Sequence, residues 1–474
     1  MLANRLLRRR GVALAATATS AIALAAGVSL STPATAQSTD NGAITYQVHP
    51  FAKLYRSGTN PGAFPSPSDC IKTYGLACYT PSEIRQAYDI PDSWTGAGQS
   101  IAIIDAYGSP TVRSDLHVFD QAMGLTDPVL TISCPTGCPG TMTAHDGQPG
   151  GWAGETSLDV QWAHAIAPDA QINLVVAGNN YGNSLNNAVQ YAVDHGLGDV
   201  LSMSYGSDEA YISGGGNNLQ LEQAHQAFQN AVNAGISLFA SSGDYGASDG
   251  FSSPTASYPA SDPLVTAVGG TNLFTKKNGS YDRETVWNDS DPSLCPFGCA
   301  YGPSGATGGA VSTIFDDPVQ EAVSGFDKRS PSDVAYNASV YTSVLVYLGF
   351  NANPDDNGFY FFGGTSSGSP QWAAIGALAN AKNGGQSLTD SQTTFRDKLY
   401  GIYGTPDYTN DFHDVTVGNN RWYGPGYDAK AGYDVPTGLG SPDVLNLVTT
   451  LTGGSSSTGS SSTGSSSSSN GKGH

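Results

Sequence analysis

The stretch Phe-Phe-Gly-Gly-Thr-Ser-Ser-Gly-Ser-Pro occupies residues 361–370 and leads into an apolar run over residues 371–381. Two aromatic residues are typical of the end of a buried strand, and the glycines after them allow a tight turn. Pro370 is tolerated in the first turn of a helix, so the sequence predicts a helix N-terminus close to Ser366. Backbone N–H groups at that end can stabilise the oxyanion of acyl transfer. Taken alone, a Ser/Thr/Gly cluster more often only caps a helix.

Apolar runs alternate with amphipathic, Ala-, Gln- and Asn-rich stretches earlier in the chain. Buried strands are predicted at 100–105, 171–177, 200–205, 236–241 and 264–268, and helices at 115–123, 154–167, 185–195 and 219–234. This alternation predicts an α/β fold with a doubly wound, mostly parallel sheet and helices on both faces. Ligands of such sheets bind outside the C-terminal ends of the strands. Residues 271–309, rich in Gly, Asn, Asp and Pro, are expected to form loops.

The two ends of the chain differ in composition from the rest. Residues 1–36 have arginines, an Ala-rich apolar run and small residues before Gln37, which predicts a secretory signal peptide and a secreted protein. Residues 37–78 form a short N-terminal segment that could be a propeptide. Residues 79–452 contain no Ser/Pro-rich linker, so we expect one domain. Residues 453–474 are almost wholly Ser, Gly and Thr and predict a flexible tail.

The formal charge of the chain is −20, and the signal peptide contributes four arginines and no acidic residue. The charge after its removal is therefore about −24. Such a charge argues against nucleic acid and anionic membranes as partners. It suits a soluble monomer that works at low pH, although ordinary solubility would also account for it.

The six cysteines fall into three close pairs along the sequence: Cys70/Cys78, Cys134/Cys138 and Cys295/Cys299. In a secreted chain this pattern favours three local disulfides, although the sequence leaves the connectivity open. A zinc site is the alternative, but the chain has no CxxC motif and no histidine at finger spacing.

A second informative stretch, Gly-Glu-Thr-Ser-Leu-Asp-Val-Gln-Trp, covers residues 154–162. On a helix, Glu155 and Asp159 lie on one face, one turn apart. Two carboxylates so placed repel each other when both are ionised, so one tends to keep a proton. The pair could be a solvated acidic face, but Trp152 and Trp162 nearby indicate partial burial.

A third stretch, Leu-Phe-Ala-Ser-Ser-Gly-Asp-Tyr-Gly, covers residues 238–246 and places Asp244 in a glycine-rich turn after a buried strand. An aspartate beside glycines is often no more than a turn former.

Together and in this order, the three stretches resemble the sedolisin family of acid serine-carboxyl peptidases, over roughly residues 79–452. The resemblance implies a subtilisin-like fold and an endopeptidase with Ser366 as nucleophile and Glu155 as general base. It implies that Asp159 positions Glu155, and that protonated Asp244 donates a hydrogen bond to the oxyanion. Protein or peptide substrates would pair with the strand that contains Ser204, Tyr205 and Gly206.

A fourth stretch near the C-terminus resembles the calcium site of that family. The resemblance implies one structural Ca²⁺ bound by the carboxylates of Asp414 and Asp434 and by the backbone carbonyls of Val415, Lys430 and Gly432. Oxygen ligands with water are what a hard cation requires. The family usually has glycine where Lys430 stands, and a carbonyl ligand tolerates that exchange. Family members also usually have a long propeptide, whereas only residues 37–78 precede the family-like region here.

Three alternatives remain. One is a neutral subtilisin-like protease that uses Asp105, a histidine and Ser366, although His145 and His164 lack the expected sequence setting. Another is a secreted glycosidase that uses Glu155 with Asp159, since carboxylates one helical turn apart are near the spacing of about 5 Å found in retaining enzymes. The last is an inactive homologue that serves as a binder. The sequence also leaves endopeptidase and tripeptidyl-peptidase action open.

Overall fold

The computed structural model describes residues 43–138, 150–294 and 305–454. The predicted signal peptide, residues 37–42, His145, the Cys295/Cys299 pair and residues 455–474 of the predicted tail lie outside the described residues.

Strands and helices alternate through the described chain, as the sequence predicts. The strands are β1 Phe51–Ser57, β2 Ser100–Ala106, β3 Leu130–Ser133, β4 Gln171–Ala177, β5 Val200–Met203, β6 Ser207–Asp208, β7 Ser237–Ser241, β8 Ser257–Tyr258, β9 Thr266–Thr275, β10 Tyr281–Val286, β11 Val334–Asn337, β12 Val344–Leu348, β13 Gly358–Gly363, β14 Phe412–His413 and β15 Ser441–Pro442. The helices are α1 Pro67–Tyr74, α2 Pro81–Ala87, α3 Val112–Met123, α4 Trp152–Ile166, α5 Gly182–Asp194, α6 Leu219–Asn233, α7 Pro318–Ser324, α8 Gly368–Lys382, α9 Phe395–Ile402, α10 Tyr408–Asp411 and α11 Val444–Leu451.

The main sheet has the strand order β10-β9-β7-β5-β2-β4-β3, and β11 also pairs with β9. All its pairs are parallel except β9 with β10. Successive side chains of β2 belong to different cores: Ile101 and Ile103 pack with α4 and α8, whereas Ala102 and Ile104 pack with α5 and α6. The predicted α/β fold with helices on both faces is confirmed.

The N-terminal segment takes part in the fold from residue 43 onwards. β1 pairs antiparallel with β13, and β13 pairs with β12 to complete a three-stranded sheet. A disulfide joins Cys70 to Cys78, directly before the family-like region. A second disulfide joins Cys134 to Cys138, as expected from their spacing. Within the described residues, no helix is long and apolar enough to cross a bilayer.

The prediction of loops over residues 271–309 is wrong for its first part. β9 continues to Thr275 and forms an antiparallel hairpin with β10. Gly269 and Gly270, directly before this region, hid the continuation of the strand: a Cβ at Gly269 would lie 2.5 Å from the carbonyl oxygen of Pro436. Glycine here therefore permits a close backbone approach and does not mark a turn.

A buried ion-pair network connects α9 to the main sheet. Both carboxylate oxygens of Asp333 accept from Arg329, at 2.7 and 2.5 Å, and Arg396 Nε donates to the same carboxylate at 2.9 Å. The Tyr400 hydroxyl and the backbone N–H of Ala267 complete its hydrogen bonds. Burial alone would raise the pKa of Asp333, but the two guanidinium charges outweigh it and hold the pKa below its ordinary value.

The exchange Asp333→Asn should destabilise the fold strongly, because it removes one of the two buried carboxylates, Asp333 and Asp317, that compensate the buried guanidinium groups of Arg329 and Arg396. We expect the free energy of unfolding to fall by about 3–5 kcal/mol, measured by urea denaturation at pH 5. The control is Asp316→Asn, which removes an exposed pair with Lys328 and should change stability by less than about 1 kcal/mol. Equal losses in the two variants would contradict the assignment.

Candidate active site

Ser366 lies where β13 ends and α8 begins. Residues Thr365–Ser367 form one 3₁₀ turn that runs directly into α8. Gly364, just before this turn, has φ +129°, and a Cβ there would lie 2.7 Å from Oδ2 of Asp244. Glycine is therefore required both by the backbone angle and by the approach of the Asp244 carboxyl. The Ser366 side chain is 3% exposed, at the N-terminal end of a buried helix.

Helix α4 carries Glu155 and Asp159 and is buried on every side. Both carboxyl groups are fully buried, so the interpretation as a solvated acidic face is wrong. The helix packs against α8 and the main sheet on one side and against α3 and β12 on the other. Glu155 lies in the first turn of α4, where the helix dipole favours a negative charge.

Carboxyl groups on neighbouring elements raise the pKa values of the two carboxyl groups on α4. Burial raises the pKa of Glu155 well above its ordinary value; the Ser366 hydroxyl lowers it, and the charges of Asp105 and Asp244 raise it further. Burial likewise raises the pKa of Asp159, with added contributions from Asp105 and Glu155. These effects indicate that Glu155, Asp159, Asp244 and Ser366 lie close together, and their catalytic roles stay a prediction.

The Ser366 hydroxyl faces Glu155 closely enough to lower its pKa, yet neither Glu155 oxygen makes a hydrogen bond of regular geometry. Ser366 Oγ instead lies 3.5 Å from the carbonyl oxygen of Ser204. Catalytic hydrogen bonds are often long before substrate binds, so this separation is compatible with proton transfer from Ser366 to Glu155.

Asp244 follows β7, and its carboxyl points towards the turn that carries Ser366. Its Oδ1 accepts hydrogen bonds from the backbone N–H and the hydroxyl of Thr365, both at 2.7 Å. Burial raises the pKa of Asp244 to about 6, against the lowering effect of these two bonds. Asp244 is thus more than a turn former: it can hold a proton in mildly acidic solution.

Asp105, at the C-terminal end of β2, is a third buried carboxyl in the α4 cluster. Burial raises its pKa to about 7, and the Thr156 hydroxyl lowers it slightly. The sequence singled out Asp105 only as a member of a histidine triad. Its position at the C-terminal end of a strand could have indicated that Asp105 belongs to the site. Its effect on the pKa values of Glu155 and Asp159 is visible only in the tertiary structure.

The histidine triad does not form with His164. This residue is on α4, nine residues after Glu155, which is about 13 Å along a helix axis. Its Nε2 lies 3.3 Å from the carboxylate of Asp120 on α3, and both side chains are fully buried. His164 therefore lies beside Asp120 and apart from Glu155.

The predicted substrate strand lies beside the nucleophile. Ser204 Oγ is 3.4 Å from the carbonyl oxygen of Ser366. Tyr205 is buried between Trp152 and Tyr46. Gly206 forms an antiparallel bridge with Gln47 of the N-terminal segment. The edge at Gly206 can therefore pair with an extended peptide, and in this structure Gln47 of the same chain is paired with it.

The predicted calcium ligands lie close together. Asp414 Oδ2 accepts from the backbone N–H of Gly432 at 2.8 Å, and Asp434 Oδ2 accepts from that of Lys430 at 3.0 Å. Burial raises the pKa of Asp434 to about 7; its backbone hydrogen bonds lower the pKa, and the Asp414 charge raises it. Two carboxylates that face each other in this way suit a cation.

The three predicted carbonyl ligands also fit an oxygen-coordinated ion. In the described ranges, the carbonyl oxygens of Val415, Lys430 and Gly432 accept no hydrogen bond from the protein. The same ranges hold no group of three or more His, Cys, Asp or Glu side chains that could bind a metal. The predicted set, with two carboxylates and three carbonyls, is the hard-cation type and not the zinc type.

Comparison with known proteins identifies relatives of the whole site region. Residues 136–402, more than half of the chain, match the model of the Subtilase family. Kumamolisin from Bacillus sp. (strain MN-32) is 33% identical over 390 residues, which are 79% of this chain and 63% of that protein. Sedolisin from Pseudomonas sp. (strain 101) is 32% identical over 385 residues, 78% of this chain and 60% of that protein. The chain spans about three fifths of the length of these relatives.

A solved structure shows the same architecture. Pseudomonas sedolisin, described as a serine-carboxyl proteinase complexed with two molecules of pseudo-iodotyrostatin, matches with a TM-score of 0.67 and 29% identity. The match covers 79% of this chain and 98% of that one. The predicted subtilisin-like arrangement is confirmed by this likeness.

The buried carboxyls predict a protein that is more stable in acid than at neutral pH. The folded-state pKa of Asp105 is about 7, above the unfolded value near 3.9. Its stabilising contribution is therefore complete below about pH 4 and is lost as the pH rises through about 7. We expect the melting temperature to fall between pH 4 and pH 8, and Asp105→Asn to reduce that fall, since ionised Asp105 costs on the order of 4 kcal/mol.

The control for this measurement is Asp169→Asn, an exposed aspartate in the turn after α4. It should leave the pH dependence of the melting temperature unchanged. A melting temperature that rises from pH 4 to pH 8 in the wild type would refute the predicted sign.

Proposed function

This chain belongs to the sedolisin family of serine-carboxyl peptidases, and on that premise we propose that it hydrolyses peptide bonds at acidic pH. The observation that supports this proposal most directly is the convergence of Ser366, Glu155 and Asp244 at the C-terminal edge of the sheet. We also propose, from the predicted signal peptide and the two described disulfides, that the protein is a secreted monomer.

In the proposed mechanism, Ser366 Oγ attacks the carbonyl carbon of the scissile peptide bond. Glu155 takes the hydroxyl proton as the bond forms and later gives it to the leaving amine. Asp159, one turn further along α4, keeps Glu155 in position and shares a proton with it. Water then attacks the acyl-enzyme by the same route in reverse, which releases the second product and restores Ser366.

Asp244 acts on the oxygen of the tetrahedral intermediate. With Oδ1 held by Thr365, the protonated carboxyl is free to donate from Oδ2, together with the backbone N–H of Ser366. A neutral acid is needed there, because a carboxylate would repel the developing negative charge. The Asp244 pKa of about 6 keeps this acid neutral in acidic solution.

The proposed mechanism requires that the carboxyl cluster has one negative charge while Asp244 keeps its proton. Glu155, Asp159 and Asp105 are coupled, so their protons leave in steps that belong to the cluster and not to one residue. The first ionisation places one negative charge on the cluster, which is enough to accept the Ser366 proton. Later ionisations occur at higher pH because each adds to the repulsion.

The serine-carboxyl peptidase interpretation is favoured over the histidine-triad and glycosidase alternatives. His164 lies beside Asp120, so it supplies no base to Ser366. A glycosidase would leave Ser366 and Asp244 without a role. Gln47, within a continuous segment that leads into β1, pairs with Gly206, which favours endopeptidase over tripeptidyl-peptidase action.

The pH profile of peptide hydrolysis tests the mechanism. Wild-type activity should fall as the pH rises through about 6, because Asp244 ionises. Ser366→Ala should reduce kcat by at least about 10⁴-fold, and Asp244→Asn by about 10²–10³-fold. The amide of Asp244→Asn stays neutral, so its residual activity should decline less at alkaline pH.

Two results would contradict this proposal. Full activity of Ser366→Ala would exclude the serine nucleophile. Undiminished wild-type activity at pH 8 would exclude an oxyanion donor that must be protonated.

We propose further that Asp414, Asp434 and the carbonyls of Val415, Lys430 and Gly432 hold one structural Ca²⁺. Bound calcium would neutralise the repulsion between the two carboxylates and connect the loop after β14 to the loop before α11. The three carbonyls without protein donors support this assignment.

Removal of calcium should therefore lower thermal stability. Calcium at a hundred times its Kd stabilises by about 2.7 kcal/mol, so EDTA should lower the melting temperature by several degrees at pH 6. Asp414→Asn should largely abolish this response. The control Asp428→Asn changes an exposed aspartate of the same region that pairs with Arg421, and it should respond like the wild type. An EDTA response retained in Asp414→Asn would contradict the assignment.

A further inference from the structure

Two side chains of α4, those of Gln161 and Trp162, are hydrogen-bonded to the backbone of strand β12. Gln161 Nε2 donates to the carbonyl oxygen of Tyr347 at 2.8 Å, and Gln161 Oε1 accepts from the N–H of the same residue at 2.9 Å. Trp162 Nε1 donates to the carbonyl oxygen of Leu345 at 3.0 Å. Gln161 is 1% exposed and Trp162 is fully buried. Three buried hydrogen bonds therefore connect α4 to β12.

These bonds end on the edge of β12 that faces away from β13. On this outer edge, the N–H of Leu345 also donates to the carbonyl oxygen of Tyr79, whereas the inner edge pairs with β13. Tyr347, two residues further along the strand, has its peptide groups on the same side. Peptide groups on the outer edge of a sheet have no partner strand. The Gln161 amide supplies the donor and the acceptor that a further strand would offer.

Strand β12 connects α4 to the proposed nucleophile. Its antiparallel partner β13 ends at Gly363, three residues before Ser366. Glu155 lies on α4, six residues before Gln161, and the Ser366 hydroxyl is close enough to lower the pKa of Glu155. The proposed base and the proposed nucleophile thus belong to two elements that the Gln161 and Trp162 hydrogen bonds join through one small sheet.

Gln161 and Trp162 leave α4 in different directions. Successive residues of an α-helix are about 100° apart around the axis. Gln161 therefore lies nearly opposite Asp159, while Trp162 lies on the same stripe as Glu155, about 10 Å further along the axis. Hydrogen bonds from two such side chains to different residues of one strand resist both rotation and sliding of the helix.

A small rotation of α4 would be enough to separate Glu155 from Ser366. At about 6 Å from the axis, a rotation of about 10° displaces a side-chain atom by about 1 Å, and a misplacement of that size can reduce a rate by about 100-fold. The contacts of α4 with α3 and α8 are mostly apolar. Apolar contacts have little directional preference, whereas hydrogen bonds weaken steeply when they are bent. The bonds to β12 are therefore suited to set the rotation of the helix.

We propose that Gln161 and Trp162 are positioning residues, which hold the carboxyl of Glu155 at the Ser366 hydroxyl by fixing the rotation of α4 against β12. The inference rests on the proposed peptidase function. Loss of these hydrogen bonds should slow the chemical step. It should leave substrate binding unchanged, because the predicted substrate strand Ser204–Gly206 follows β5 and does not belong to α4.

The test uses the full chain with Gln161→Met, which preserves the length of the side chain and removes both hydrogen bonds to Tyr347. At pH 4, well below the melting temperature, kcat should fall about 10–100-fold and KM should stay within about twofold of the wild type. Gln161→Glu should restore kcat to within about threefold at this pH, because a protonated carboxyl donates one hydrogen bond and accepts another. An unchanged kcat in Gln161→Met, or equally slow Met and Glu variants, would overturn the inference.

The matched control is Gln320→Met on α7, which packs against α9. Gln320 is also fully buried, and its amide exchanges hydrogen bonds with the backbone of Ser330 at 2.7 and 2.5 Å. Gln320 also donates to the hydroxyls of Tyr400 and Tyr433, so its loss should lower the melting temperature at least as much as Gln161→Met does. Its kcat should stay within about twofold of the wild type. An equal fall of kcat in both variants would indicate general loosening and overturn the inference.

The second variant, Trp162→Phe, removes only the hydrogen bond to Leu345. It keeps an aromatic ring against Phe119, whose centroid lies 6.3 Å from that of Trp162, so it should fold even if Gln161→Met does not. We expect kcat to fall about three- to tenfold with KM unchanged. A wild-type kcat would overturn the role of Trp162 and, where Gln161→Met fails to fold, the whole inference.

A thermal measurement separates this inference from the proposed function, because it needs no turnover. The fall of the melting temperature from pH 4 to pH 8 depends on the buried carboxyls that face one another in the site, namely Glu155, Asp159, Asp105 and Asp244. A rotated α4 admits water to these groups, so the fall should be smaller in Gln161→Met and unchanged in Gln320→Met.

The two kinds of measurement have distinct roles. If the wild type hydrolyses no peptides, the proposed function fails; a smaller fall in Gln161→Met then supports the inference, and an unchanged fall overturns it. Where the wild type is active, the kinetic results decide.

Discussion

The burial of three carboxyl groups, Glu155 and Asp159 on α4 and Asp105 on β2, is the constraint on which the site depends. Burial is the largest influence on the pKa of Glu155, Asp159 and Asp105, and the charge of Asp105 raises the pKa of the other two. Such groups retain protons at pH values where exposed carboxyls are fully ionised. The fold that seals α4 between the sheet, α3 and α8 therefore also sets the pH range of the proposed chemistry.

Another buried carboxyl, Asp333, has a pKa shifted in the opposite direction. It lies between Arg329 and Arg396, and these charges keep its pKa low despite complete burial. Its contribution to stability is present above about pH 4 and is lost only as the pH falls through its lowered pKa. The framework thus stays intact in mild acid, where the α4 cluster still retains protons, and the two kinds of carboxyl together suit an acid-stable protein.

The N-terminal segment contacts two elements of the candidate active site. β1 pairs with β13, the strand that leads to Ser366, and the residues before β1 lie against Gly206. One stretch of chain therefore supports the nucleophile's strand and also covers the cleft beside it. Any rearrangement that frees residues 44–50 need not disturb β1, because β1 has its own ladder of hydrogen bonds and is followed by the Cys70–Cys78 disulfide.

The sequence by itself determined the alternation of strands and helices, the position of Ser366 at a helix N-terminus, and the spacing of Glu155 and Asp159, because local periodicity and turn chemistry are written in adjacent residues. Only the tertiary structure decided that α4 is buried on every side, that Asp105 joins its carboxyls, and that Gly269 continues a strand. It also revealed that residues 44–50 lie against Asn180 and Gly206, beside the candidate active site. Desolvation and pairing between residues more than a hundred positions apart depend on the packed fold, and no local pattern encodes them.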